Sequence, residues 1–418
     1  IMAYSFTTIG AIAGLVIAII LIIKKVHPAY SLIVGALIGG LIGGGGLTTT
    51  VNMMVSGASG MMSSVLRILT SGILAGALIK TGSAEKIAET IVAKLGEKRA
   101  IAAVAIATMI ICAVGVFVDI SVITVAPIAI AIGRKAHLSK AGILLAMIGG
   151  GKAGNIISPN PNTIAASEAF HVDLTSLMLK NVIPALCALV VTIILAGILS
   201  RKDTAIEAGD AVADTDKELP GFLSAICGPV VVIILLALRP IAGISIDPLI
   251  ALPVGGLISI IVTGKIKEVI SITEYGLSKV VGVSILLIGT GTLAGIIKAS
   301  ALQYDMINLL EILNMPTFVL APMSGILMAA ATASTTSGAT IASQTFADTL
   351  ISAGIPAINS AAMIHAGSTV IDSLPHGSFF HATGGAVSME IKERMKLIPF
   401  EALVGLTSTV VSVIIYLI

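Results

Sequence analysis

This chain has little charge, few cysteines and none of the common hydrolytic signatures. Only 11% of its 418 residues are Asp, Glu, Lys or Arg, against roughly 25% in a soluble domain. Cys112, Cys187 and Cys227 stand alone in apolar segments. With no CxxC pair or His-rich cluster, they argue against a disulfide framework or structural zinc and suit helix packing as small hydrophobes. HExxH and GxSxG are both missing, so no motif calls for a metal or cofactor, and a membrane-embedded hydrolase is the weaker reading. The formal net charge is +2, but Lys and Arg fall in short loops rather than a stripe, which argues against nucleic acid as a partner. The first apolar run meets Lys24-Lys25 instead of a small-residue cleavage site, so a first spanning helix is expected there, not a signal peptide.

Apolar sequence is abundant: 56% of residues are hydrophobic and the mean hydropathy is +1.08. Ten stretches, 9–23, 29–45, 58–80, 99–118, 177–199, 221–239, 247–263, 280–298, 316–333 and 397–418, approach the roughly 20 apolar residues of a spanning helix. The expectation is an all-α polytopic membrane protein embedded in a lipid bilayer.

The one strongly hydrophilic stretch, 200–220, holds three basic and six acidic residues and closes on Pro220-Gly221. It is a natural linker between a first membrane repeat, 1–199, and a second, 221–418. The halves echo each other. Leu74-Ala75-Gly76 with Ile79-Lys80 recurs as Leu293-Ala294-Gly295 with Ile297-Lys298, and Ile183-Pro184 as Ile398-Pro399, at shifts near 215–219. Basic residues mark Lys94, Lys98 and Arg99, and again Arg134, Lys135 and Lys140, whereas the matching second-half loops near 311–316 and 350–358 carry none. Since short cytoplasmic loops are rich in Lys and Arg, the opposed bias predicts inverted repeats, an outside N-terminus and a cytoplasmic linker.

Two polar, Pro-rich interruptions stand in this apolar sequence, Gly151 to Thr163 and Ala366 to Ser378. Backbone that leaves the helix at membrane depth survives only inside protein or against a water-filled cavity, and a matched pair of breaks marks a transporter's substrate site. In the first, Gly149-Gly150-Gly151 is expected to end one helix, and a new one to start near Thr163 with Asn162 or Thr163 as its cap. Its positive dipole end would face the break and suit a carboxylate. Asn155, Ser158, Asn160, Asn162 and Thr163 supply neutral donors, and Lys152 either adds a full charge or snorkels to an interface.

The second interruption contains Asp372, Ser373, His376 and Ser378, with His381 beyond. Intramembrane ionisable groups are a functional hypothesis by default, and Asp372 with His376 would relay protons or coordinate a coupling cation. A third run, Ser334-Thr335-Thr336-Ser337 within small residues, suits either close helix packing or a second non-helical break, a re-entrant hairpin lining the pathway. Its first-half counterpart holds Asp119, the lone acid of the run 100–133 and the next candidate for ion coupling.

At these residues the chain resembles the gluconate permease (GntP) family of the ion transporter superfamily. Asp372-Ser373-Leu374-Pro375-His376 with Gly385-Ala386-Val387 looks like the family's second-loop signature. Asn155 through Asn162, followed by Ile164-Ala165-Ala166 and Phe170-His171-Val172-Asp173-Leu174, looks like its first. The resemblance covers essentially the whole chain. It implies an inverted-repeat fold with two re-entrant hairpins, a multi-pass place in a bacterial-type inner membrane, a homodimer, and proton-coupled uptake of a small organic anion such as a hydroxy or sugar acid. Na+ coupling is the alternative. The first loop departs from the Pro-Pro-His-Pro form of sugar-acid members, which directs the expectation to small carboxylates at large rather than to gluconate itself.

Overall fold

The computed structural model describes residues 5–200, 218–244, 246–312, 316–375 and 377–418; most of the linker and His376 lie outside them. Among the described residues there is no strand, only an isolated bridge between Phe6 and Ser300. The first half runs α1 Thr8–Ile23, α2 Pro28–Ile42, α3 Gly46–Ser59, α4 Met62–Lys80, α5 Ser83–Leu95 and α6 Ala100–Ala113. It continues with α7 Val118–Lys135, α8 Lys140–Asn155, α9 Pro161–Ala169, α10 Leu174–Lys180 and α11 Val182–Ser200. The second half begins with α12 Phe222–Ala242, α13 Pro248–Val262, α14 Val269–Lys298, α15 Leu302–Ile312 and α16 Leu320–Thr332. It ends with α17 Thr335–Ser352, α18 Ala357–Gly367, α19 Ser378–Ala386, α20 Ile391–Met395 and α21 Ile398–Leu417.

The helix order recurs. α17, α18 and α19 each start 217 residues after α7, α8 and α9, and the single 30-residue α14 stands where the first half has α3 and α4. Every one of the ten apolar stretches overlaps a helix. Four segments are long and apolar enough to cross a membrane by length and composition: 62–80, 182–200, 266–298 and 391–417.

Packing follows the inverse of a soluble amphipathic pattern. On α11, Ile183, Leu186, Val190, Ile194 and Ile198 are exposed at helical spacing, while Ala185, Ala188, Thr192 and Ala196 are buried. Lipid is as apolar as leucine, so small residues face other helices and allow close approach. Glycines carry this furthest where α3 and α4 cross α14. A Cβ on Gly57 would lie 2.1 Å from the Gly291 carbonyl oxygen, and one on Gly72 would lie 2.7 Å from that of Gly276. Partners on α14 fall in number as those on α3 and α4 rise, so these corresponding segments run antiparallel.

Gly149-Gly150-Gly151 does not end a helix, contrary to the sequence expectation: α8 continues through to Asn155. The missing side chains serve packing. A Cβ on Gly150 would stand 2.1 Å from the Ala105 carbonyl oxygen of α6, and one on Gly149 2.2 Å from Thr192 Oγ1 of α11.

Candidate functional site

The first break is five residues, 156–160, and one side chain closes both of its ends. Asn160 Oδ1 accepts the backbone N–H groups of Asn162 at 2.9 Å and Thr163 at 3.2 Å, capping α9. Its Nδ2 donates to the carbonyl of Asn155 at 3.0 Å and to Asn155 Oδ1 at 2.5 Å. The cap is therefore Asn160, not Asn162 or Thr163. Pro161 takes the first helical position, where its fixed φ fits and no N–H is needed. Asn162 Nδ2 also donates to Asn155 Oδ1, at 2.9 Å. Asn155 Nδ2, Ser158 Oγ and Asn162 Oδ1 are buried without a hydrogen-bond partner among the described residues.

The second break, 368–377, is longer and carries charge. Asp372 Oδ1 accepts Lys152 Nζ at 2.6 Å and Ser373 Oγ at 3.0 Å, and Oδ2 accepts Thr335 Oγ1 at 2.5 Å. Lys152 also donates to the Thr369 carbonyl at 2.6 Å. Both charged residues are only 2% exposed. The first-half lysine is thus held inside the second-half break rather than snorkelling to an interface. The 217-residue shift matches Asp372 to Asn155, so the first half ends α8 on a neutral amide where the second half has a carboxylate.

Beside Asn155 and Asn162, which flank the first break, lies a cavity of about 460 Å³, within the usual range for small-molecule sites. Helix starts converge on it. Val118, Asp119 and Ile120 of α7, Asn162 of α9, Ser334 to Ser337 at the start of α17, and Ser378 and Phe379 of α19 all line it. A two-residue break precedes α17: Ala333 adopts a left-handed φ of 47° and Ser334 Oγ accepts the Ser337 N–H at 3.3 Å. Lys279 and Leu286 of α14 and His27 close the opposite wall. Each helix start contributes about half a positive charge, which favours negative charge in the cavity.

The expected residues divide into three groups. Asn155, Asn162, Ser334, Thr335, Thr336, Ser337, Ser378 and Asp119 line the cavity. Lys152, Asp372 and Ser373 form the ion-pair layer, joined to the lining through Thr335. Ser158 and Asn160 are buried in the first break, and Thr163 in the first turn of α9. His376 lies outside the described residues.

Sequence reading missed two features. Arg394 of α20 pairs with Glu401 of α21, both 1% exposed, and the Arg394 guanidinium carbon sits 4.9 Å from the Phe380 ring centroid. The signal was Glu401, an acid inside the apolar stretch 397–418. Lys279 reads in sequence as an ordinary basic residue, and only the fold brings it to the cavity.

A polytopic helical bundle with broken helices around a cavity of mixed polar and apolar lining defines a membrane transporter, not an enzyme. The profile of the GntP family permease matches residues 6–418, and the chain belongs to that family. It is a multi-pass protein of the inner membrane. It is 55% identical to an uncharacterized transporter of Haemophilus influenzae over 98% of both chains. It is 22% identical to the gluconate permease of Zymomonas mobilis, with 88% of this chain and 89% of that protein covered. Its fold is similar to the YdaH transporter of Alcanivorax borkumensis, with a TM-score of 0.66 at 15% identity, covering 88% and 87% of the two chains.

Proposed function

We propose that this protein is a symporter that takes up a small organic anion, a hydroxy or sugar acid, using the proton gradient. The observation that carries this reading is the convergence of four helix starts on one cavity whose polar lining is mostly neutral Asn, Ser and Thr groups. Partial positive charge at the helix starts favours a carboxylate, and hydroxyl and amide side chains match the substrate's own hydroxyls. The gluconate permease relative fits the same chemistry. Coupling is assigned to Asp372, with His376 and Asp119 as further candidates: a proton on Asp372 lowers the cost of bringing an anion near and frees Lys152 from its ion pair.

The two halves are inverted repeats joined by a cytoplasmic linker. The antiparallel course of α3–α4 and α14, segments that correspond in the two halves, supports a two-fold axis in the membrane plane. The test is uptake into proteoliposomes across a panel of three- to six-carbon carboxylates, with proton and Na+ gradients imposed separately. Accumulation of a hydroxy or sugar acid driven by protons alone is expected. Accumulation driven only by Na+ would overturn the coupling, and uptake of no carboxylate would overturn the substrate class.

A further inference from the structure

A second cavity, about 620 Å³, lies where the function just proposed has assigned nothing. Its wall includes Glu168, His171, Gln344, Thr345, Asp348 and Lys298. So many ionisable groups at one cavity require water.

Three helices pass from one cavity to the other. On α9, Asn162 lines the first and Glu168 the second; on α14, Leu286 lines the first and Ala294 the second; on α17, Ser337 lines the first and Gln344 the second. At 1.5 Å per residue these spans are about 9, 12 and 10 Å, so three independent rulers agree that the cavities are separated along the helix axes by a thin layer of protein.

That layer has a polar seam. Thr336, Thr340, Ser343 and Ala347 follow one face of α17 at helical spacing, starting in the first cavity and ending in the second. Helical Ser and Thr usually return their hydroxyl to a carbonyl one turn back, as Thr108, Thr192, Ser284 and Thr290 do here. Thr340 and Ser343, both 0% exposed, and Thr345, 4% exposed and on the second cavity, have no hydrogen-bond partner among the described residues. Thr340 and Ser343 are thus orphaned hydroxyls on one face of α17, between the two cavities.

We propose that the second cavity is the opposite mouth of the transport route and that Thr340 and Ser343 are hydroxyl contacts of the carboxylate-bearing anion through the closed layer. The inference rests on the transport reading, but its first test needs no substrate. In a background with Cys112, Cys187 and Cys227 replaced by Ser, Thr336→Cys and Gln344→Cys are treated with an impermeant thiol reagent in right-side-out and inside-out vesicles. Faster modification of the two from opposite faces is expected. Equal rates from both faces, faster modification from the same face, or no reaction at Gln344→Cys would overturn the proposal. In a second test, Thr340→Val is expected to slow exchange of the transported acid about tenfold, as for one lost hydrogen bond, with binding at the first cavity unchanged and Thr340→Ser restoring the rate. Wild-type exchange by Thr340→Val would overturn the role of the seam. If the labelling succeeds and no acid is transported, the substrate class fails and the route stands.

Discussion

Replacing Asp372 with Asn is the sharpest perturbation because it removes charge while leaving shape. Lys152 then keeps its 2.6 Å bond to the Thr369 carbonyl but loses the carboxylate at 2.6 Å, in a site where it is 2% exposed. Stranding one partner of a buried ion pair costs about 3–5 kcal/mol. At about 2.1 cal/mol/K per residue, the unfolding entropy of a chain this long is about 0.9 kcal/mol/K, so Tm should fall by about 3–6 °C. The assay is thermal unfolding in detergent followed with a thiol-reactive dye, for which fully buried Cys112 reports opening of α6. Lys152→Met in the same chain removes the stranded charge at similar volume and should recover most of the loss. A Tm for Asp372→Asn within about 1 °C of the parent, or a double variant less stable than the single, would refute the reasoning. In proteoliposomes the same substitution should abolish pH-driven accumulation while leaving counterflow exchange of preloaded substrate. Full accumulation by both Asp372→Asn and His376→Gln would move coupling to Asp119.

Other expectations follow from the same geometry. Asn162→Ala removes a cavity-lining amide at the start of α9 and should weaken substrate binding by about one to two orders of magnitude, the equivalent of one charge-assisted hydrogen bond; calorimetry reads it, and wild-type affinity counts against the site. Gly57→Ala drives a Cβ to 2.1 Å from the Gly291 carbonyl oxygen and should destabilise the α3–α14 crossing by about 1–3 kcal/mol, measured as a lower Tm, whereas an unchanged Tm would show that the crossing yields easily. A cysteine placed in the linker, 200–220, should resist an impermeant reagent on intact cells, and ready labelling from outside would reverse the assigned topology.

Much of this protein is legible without coordinates, because the bilayer imposes a one-dimensional rule. Spanning segments must be apolar and about 20 residues long, so the ten stretches could be counted, and a polar break among them announces itself. The recurrence of Leu-Ala-Gly and Ile-Lys could likewise be read directly. Local chemistry was less certain. Whether Gly149-Gly150-Gly151 ends a helix or permits close packing depends on what stands opposite, and that is Ala105 and Thr192, far away in sequence. The choice of Asn160 over Asn162 as cap turned on a single turn of backbone.

Pairing across the chain was beyond sequence altogether. Lys152 and Asp372 are 220 residues apart, Arg67 reaches Asp247 across 180, and Lys279 and Asp119 come to line one cavity. Residue type shows that a buried charge needs a partner, while only the folding of one half against the other determines which partner comes within reach.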